Sequence, residues 1–151
     1  MTFPGVPSEM KEMWKETAVH YIKNNFSDGY IFFSNTLKFS GIGESTISEK
    51  IDNLLKLKNP TVAPYANLGG VKLRITARSK NELEARNIIN PVKEKLKKEF
   101  SKFIFGENDD NLSSVLIKEL IKRKESLVFA ESCSGGLLSS SITAIPGSSQ
   151  V

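Results

Sequence analysis

A chain of 151 residues, 39% hydrophobic and 25% charged, has the make-up of one ordinary soluble domain or two small ones, which excludes disorder as the starting assumption. Its net charge of +4 is modest, no apolar run is long enough to span a membrane, and the opening Met-Thr-Phe-Pro-Gly lacks the basic stretch and apolar core of a secretory signal. The single cysteine, Cys133, excludes an internal disulfide and a thiolate metal cluster, so a reducing, cytoplasmic setting without metal is expected.

Residues 3–9, Phe-Pro-Gly-Val-Pro-Ser-Glu, read as a turn entering a helix, with Ser8 as the cap and Glu9 at the positive end of the dipole. Met10, Met13, Trp14, Ala18, Tyr21 and Ile22 follow at helical spacing and form a stripe that must bury against something. That stripe is expected either to have lost a partner on its N-terminal side or to pack on the next unit. His20, the only histidine, lies on this helix as a surface or partly buried structural residue.

Tyr30 to Phe39 is rich in aromatic and branched residues and reads as a strand with Ile31, Phe33, Leu37 and Phe39 on one face. Gly41 and Gly43 end it. Thr46-Ile47-Ser48-Glu49 has the form of a capping box for a helix that turns Ile47, Ile51, Leu54 and Leu55 inward until Asn59-Pro60. Gly41-Ile42-Gly43-Glu44 lacks the Lys-Ser/Thr of a P-loop and the spacing of a Gly-x-x-Gly clamp, so it reads as a helix-entry turn.

Thr61 to Tyr65 reads as a second strand and Gly69-Gly70 as a turn. Val71, Leu73, Ile75 and Ala77 then alternate with Lys72, Arg74, Thr76 and Arg78, the pattern of a strand with one wet face in an antiparallel or mixed sheet. Ser79-Lys80-Asn81-Glu82 suggests another capping box, opening a helix that carries Leu83, Ile89, Val92, Leu96 and Phe100 inward and is kinked or broken at Pro91. Its lysines, densest from Lys93 to Lys102, could attract phosphates or nucleic acid, but a charge run of this kind is first a solvated helix face. Phe103-Ile104-Phe105 can add an edge strand. The short acidic run Gly106 to Asn111 marks a domain boundary.

Leu112, Val115, Leu116 and Leu120 define a further helix ending in Lys122, Arg123 and Lys124. Ser126 to Ala130 reads as a short buried strand, and the Glu131 to Gly136 turn leads into a helix from about Leu137 that Pro146-Gly147-Ser148-Ser149 stops. The turn is the strongest functional candidate. Its small residues let a backbone approach a ligand, amides at the helix start favour an anion such as a phosphate, and Ser132, Cys133 and Ser134 add donors. The alternative is a purely structural tight turn. Cys133 is read as a buried thiol rather than a nucleophile, since no histidine stands near it in sequence. Ser148 and Ser149 are ordinary turn residues on pattern alone, and either would need a base to become a nucleophile.

These pieces resemble a known family. Residues 126–149, Ser-Leu-Val-Phe-Ala-Glu-Ser-Cys-Ser-Gly-Gly-Leu-Leu and then Ile-Pro-Gly-Ser-Ser, resemble the opening of the CinA C-terminal domain, whose usual form is Ala-Glu-Ser-Cys-Thr-Gly-Gly followed by Pro-Gly-Ser-Ser. Ser134 in place of threonine keeps the hydroxyl. Phe3 to Trp14 is similar to the closing motif of the family's molybdopterin-binding-type first domain, and Tyr30 to Phe105 falls where the family has its KH-like middle domain.

The resemblance implies an α+β chain in three parts: residues 1–27 as the remnant of the first domain, 28–106 as a KH-like middle domain with a mixed sheet and helices, and 107–151 as the truncated start of an α/β amidohydrolase domain. It further implies a parent enzyme that hydrolyses nicotinamide mononucleotide to nicotinate mononucleotide and ammonia in pyridine-nucleotide salvage, without a cofactor or metal. Ser132, Cys133, Ser134, Gly135 and Gly136 would line the nucleotide site. Ser149 would be the nucleophile, with Ser148 next. The family's base, a lysine in a Tyr-Ser-Asn-containing stretch, lies beyond Val151, so this chain alone is expected to be inactive. A homo-oligomer is expected of the intact parent. The other reading is a basic KH-like module for nucleic acid or protein, weakened by the missing Gly-x-x-Gly clamp. A pyrophosphatase or molybdopterin-type activity would belong to the first domain and is not assigned to this chain.

Overall fold

The computed structural model describes residues 1–67 and 69–151. Helix α1 (Pro7–Met13) passes through one π-helical turn, Trp14–Ala18, into α2 (Val19–Phe26). The helix starts two residues earlier than Ser8 predicts: Val6 is the N-cap, without a side-chain bond, and Pro7 fits the first turn because its missing N–H has no partner to lose there. Of the apolar stripe only Ala18 is buried. Trp14 is 45% exposed and Tyr21 52%, and the rings find only local neighbours, Phe3 with Trp14 and Tyr21 with Phe26, each pair 6.1 Å between centroids.

Strand β1 (Ile31–Phe39) leads through the Gly41 turn to α3 (Glu44–Lys50) and α4 (Asp52–Leu55), separated by Ile51 alone. Gly43, not a Thr46 capping box, is the N-cap of α3, yet the inward stripe is as the spacing predicts, with Ile47, Ile51 and Leu54 buried. Strands β2 (Thr61–Asn67) and β3 (Gly70–Ser79) follow, then α5 (Glu82–Glu99) and the edge strand β4 (Ile104–Glu107). The sheet order is β2-β3-β1-β4 with every neighbour antiparallel, which settles the sheet as antiparallel rather than mixed. A register shift at Lys38/Phe39 bends the β1/β4 ladder.

The core lies between one sheet face and the helices. Leu37, Phe39, Val71, Leu73, Ile75 and Ala77 from the sheet meet Ile47, Ile51, Ala85, Ile89, Leu96 and Phe100. Two details of α5 depart from the sequence pattern. Its cap is Asn81, whose carboxamide oxygen accepts from the Glu84 amide at 2.9 Å, while Ser79 is buried and donates to the Asn81 carbonyl. Leu83 is 71% exposed because it stands two residues before buried Ala85, about 200° round the helix from the stripe of Ala85, Ile89 and Leu96, and the helix continues through Pro91 without a break. At the other side of the sheet a glycine is obligatory. Gly70 has φ +118°, and a Cβ there would stand 2.2 Å from the Phe39 carbonyl oxygen. Gly70→Ala is therefore expected to lower the urea midpoint by an amount worth about 2–3 kcal/mol, and an unchanged midpoint would contradict this packing.

Beyond β4 come α6 (Leu112–Arg123) and α7 (Leu137–Thr143). Asn111 and Ser114 form a reciprocal capping box at the start of α6. The helix buries Ile117 and leaves Leu112 53% exposed. Among the described residues no helix is long and apolar enough to cross a membrane.

Candidate functional site

Residues 126–130, read from sequence as a buried strand, have no regular secondary structure and belong to no ladder. A strand needs a hydrogen-bonded neighbour, and no described segment supplies one; Val128 is accordingly 91% exposed while Leu127 and Phe129 are half-buried on the opposite side. Leu127 and Phe129 pack towards α7, where they line a cavity of about 140 Å³ with Ser139, Ile142 and Ser148.

The turn that follows is organised by one carboxylate. Glu131 accepts from the amides of Leu138 at 3.0 Å and Ser139 at 2.9 Å and from the hydroxyls of Ser134, at 2.6 Å, and Ser139. The Ser134 and Ser139 hydroxyls, with the Ser139 amide, hold its carboxyl down at about 2. The expectation that the first amides of this helix are free for a phosphate is thus corrected for Leu138 and Ser139: the chain's own anion already occupies them. The sequence signal for this is Glu131 itself, a carboxylate four residues ahead of Gly135 and five ahead of the N-cap Gly136. Because the carboxyl is depressed in the fold, its contribution is complete above about 4.5, the ordinary value, and is lost as pH falls towards about 2. The Leu138 and Ser139 amide resonances should therefore titrate with a midpoint near 2; a midpoint near 4.5 would show that the network is absent in solution.

What remains open is the backbone before the helix. Cys133, Gly135 and Gly136 all take left-handed φ values, +63°, +63° and +83°. Nothing lies within 4 Å of where a Cβ would stand at Gly135 or Gly136, so this stretch is free to meet another molecule closely. Cys133 is exposed, not buried as its sequence context suggested, and its sulfur lies 3.7 Å from the Ser132 hydroxyl. Of the two serines after Gly147, Ser148 is half-buried and faces the cavity shared with Ser139, whereas Ser149 is exposed. Neither hydroxyl has a hydrogen-bond partner among the described residues, so no base is paired with either. Among the described residues no group of three His, Cys, Asp or Glu side chains is placed to hold a metal ion.

Two family models match, one after the other. Residues 34–106 match the damage-inducible protein CinA KH domain, and residues 109–151 match the CinA C-terminal domain. The chain belongs to the CinA family. It is 92% identical over its whole length to a CinA-like protein of Prochlorococcus marinus subsp. pastoris strain MED4, 81% to one from strain MIT 9515 and 47% to one from strain MIT 9313. It covers 35% of each of those proteins, so the chain spans about a third of the length of the CinA-like relatives it matches. The four-stranded antiparallel sheet with its helices is thus a CinA KH-type unit, and the Glu131 turn lies within the stretch matching the CinA C-terminal domain.

Proposed function

We propose that residues 126–149 form part of a nicotinamide mononucleotide amidohydrolase site, and that this chain contributes the turn and the serine pair but not the whole catalytic apparatus. The observation that carries the reading is the open left-handed backbone at Gly135 and Gly136, steadied by Glu131 and followed by Ser148 and Ser149. Such a backbone suits the anionic end of a nucleotide, with Ser132 and Cys133 beside it; Ser134 is engaged by Glu131 and serves the turn's shape instead.

In the reaction a serine oxygen attacks the carboxamide carbon, the carbonyl oxygen becomes an oxyanion, and the C–N bond breaks to release ammonia. Water then cleaves the acyl-serine to give nicotinate mononucleotide. The serine proton must leave to a base. Glu131, held at about 2 and already accepting four hydrogen bonds, is not a base at neutral pH. The cavity at Ser148, about 140 Å³, is also smaller than the roughly 300 Å³ at which ligand pockets begin, so a nucleotide needs further walls. Both facts support a site completed by other parts of a protein of the relatives' length. In the same reading residues 1–27 close a molybdopterin-binding-type domain, and the enzyme is a cytoplasmic homo-oligomer serving pyridine-nucleotide salvage.

The test is ammonia release from nicotinamide mononucleotide, measured on this chain and on a protein of the relatives' full length. Activity is expected only in the longer protein. Absence of release from the longer protein overturns the proposal.

A further inference from the structure

At its β4 edge the sheet carries an irregularity that builds a cavity. The β1/β4 register sets Lys38 opposite Gly106 and Phe39 opposite Ile104, so Phe105 between them has no partner in β1. Ile104 packs on the core; Phe105, one residue on, lines a cavity of about 660 Å³ on the side away from it. Lys38, Lys72, Asp110 and Leu112 form the other walls, and Leu112, at the first turn of α6, is 53% exposed. The volume falls within the roughly 300–1,000 Å³ typical of small-molecule sites. A second cavity, about 410 Å³, shares Lys38 and Lys72 with the first and adds Tyr65, Arg74 and Asp109. Together they make one groove with an apolar end at Phe105 and Leu112 and a polar end at Arg74.

One wall of the groove is held in place by the fold itself. The Asp110 carboxylate accepts from the Glu107 amide and from Lys118, both at 3.0 Å, and its backbone carbonyl takes the Lys38 ammonium. Gly106 lets Asp110 stand this close, since a Cβ there would lie 2.7 Å from the Asp110 Cβ. Lys38 is thus a strut of the wall, engaged within the fold. Lys72, directly across the β1/β3 ladder from it, is not. Among the described residues the half-buried Lys72 side chain has no carboxylate or hydrogen-bond partner. Arg74, two residues along the same face, meets the Tyr65 ring at 4.8 Å from its centroid and no carboxylate. An ammonium drawn partly out of water, opposite a second ammonium and without a counter-charge, is a position that an anion stabilises.

The charges also limit what the groove takes. Asp109 and Asp110 line it beside the two cations, so a polyanion would set part of its charge against carboxylates. A molecule with one acidic group and an apolar body meets no such conflict.

We propose that this groove binds a small amphipathic monocarboxylic acid, its carboxylate on Lys72 and Arg74 and its apolar body against Phe105 and Leu112. Because Leu112 opens α6 within the stretch matching the CinA C-terminal domain, and Lys72 and Phe105 belong to the KH-type unit, the ligand touches both family units. The inference stands independently of the hydrolase reading.

The probe is dansyl-labelled undecanoate, titrated into this chain below its micelle concentration and read by the rise in dansyl fluorescence. Saturable binding is expected, reversed by dodecanoate and not by dodecanol, which has the same body without the charge. Lys72→Gln/Arg74→Gln should weaken binding by at least about tenfold, whereas Lys72→Arg, which keeps the charge, should stay within about threefold of the parent. Leu112→Ala should weaken it by about fivefold through lost apolar contact. Amphiphiles also adhere to exposed apolar surface, so Met13→Ser/Trp14→Ser, on the exposed stripe of the first helix, is the control and should change nothing. Far-UV circular dichroism verifies that each variant is folded. In a protein of the relatives' length the binding should persist. Absence of saturable binding, displacement by dodecanol as readily as by dodecanoate, an undiminished affinity in Lys72→Gln/Arg74→Gln, an equal loss in the stripe variant, or disappearance of binding in the longer protein would each overturn the proposal.

Discussion

Phe39→Ala is expected to destabilise the KH-type unit by about 3–5 kcal/mol, enough to abolish a large part of a domain's usual 5–15 kcal/mol. Phe39 has no exposed surface, sits on an inner strand between β3 and β4, and meets Phe100 edge-on with 5.6 Å between ring centroids at 82°. Truncation removes most of a large apolar side chain, forfeits the ring–ring contact, worth about 0.5–1.5 kcal/mol, and leaves a void that buried neighbours on both β1 and α5 cannot close together. The change also loosens the strand whose carbonyl stands over Gly70. Urea unfolding followed by circular dichroism measures it, with Phe39→Leu as the companion that keeps most of the volume and costs no more than about 1.5 kcal/mol. A loss under 1 kcal/mol for the alanine variant, on the order of an average substitution, would mean that the core is not centred on this ring pair.

Ser149→Ala, made in a protein of the relatives' length, is expected to lower kcat for ammonia release by roughly a thousandfold or more with little change in KM, since in the proposed reaction this hydroxyl attacks the carboxamide carbon and does not hold the nucleotide as a whole. Ser148→Ala should cost far less. The structure gives the reason: Ser148 is turned into the cavity beside Ser139, Leu127 and Phe129, where it serves packing, while Ser149 is exposed and available. If Ser148→Ala carries the loss instead, the nucleophile is Ser148. If neither substitution matters, hydrolysis does not use this serine pair.

Elements whose residues face a single partner were readable from spacing. Val71, Leu73, Ile75 and Ala77 are buried while Lys72 and Arg74 are not, and Ile47, Ile51 and Leu54 line one helical side, because periodicity reports burial against one neighbour. Caps were less readable. Ser79, Lys80 and Asn81 all precede α5, and only the backbone geometry selects Asn81. Pro91 lies inside α5 because burial of Ile89 and Leu96 on either side outweighs one lost backbone bond. The run 126–130 has the composition of a strand, but composition cannot supply a ladder partner. At the candidate site the turn itself was legible from Gly135-Gly136. The role of Glu131 was not, since its bonds reach seven and eight residues ahead, beyond any local capping pattern.

The acidic stretch after β4 reads as a loose seam, yet the fold rivets it. The Asn108 amide donates to the Thr36 carbonyl and its side chain takes the Thr36 amide, so this residue behaves like one more rung against β1. Asp110 accepts from the Glu107 amide and from Lys118 on α6, and its carbonyl is held by Lys38. A joint fastened on both sides transmits torque instead of swivelling. The axis of α6 is therefore set by the sheet, and a load applied at the sheet's Lys38 corner reaches the first turns of α6 through a stiff bracket a few residues long.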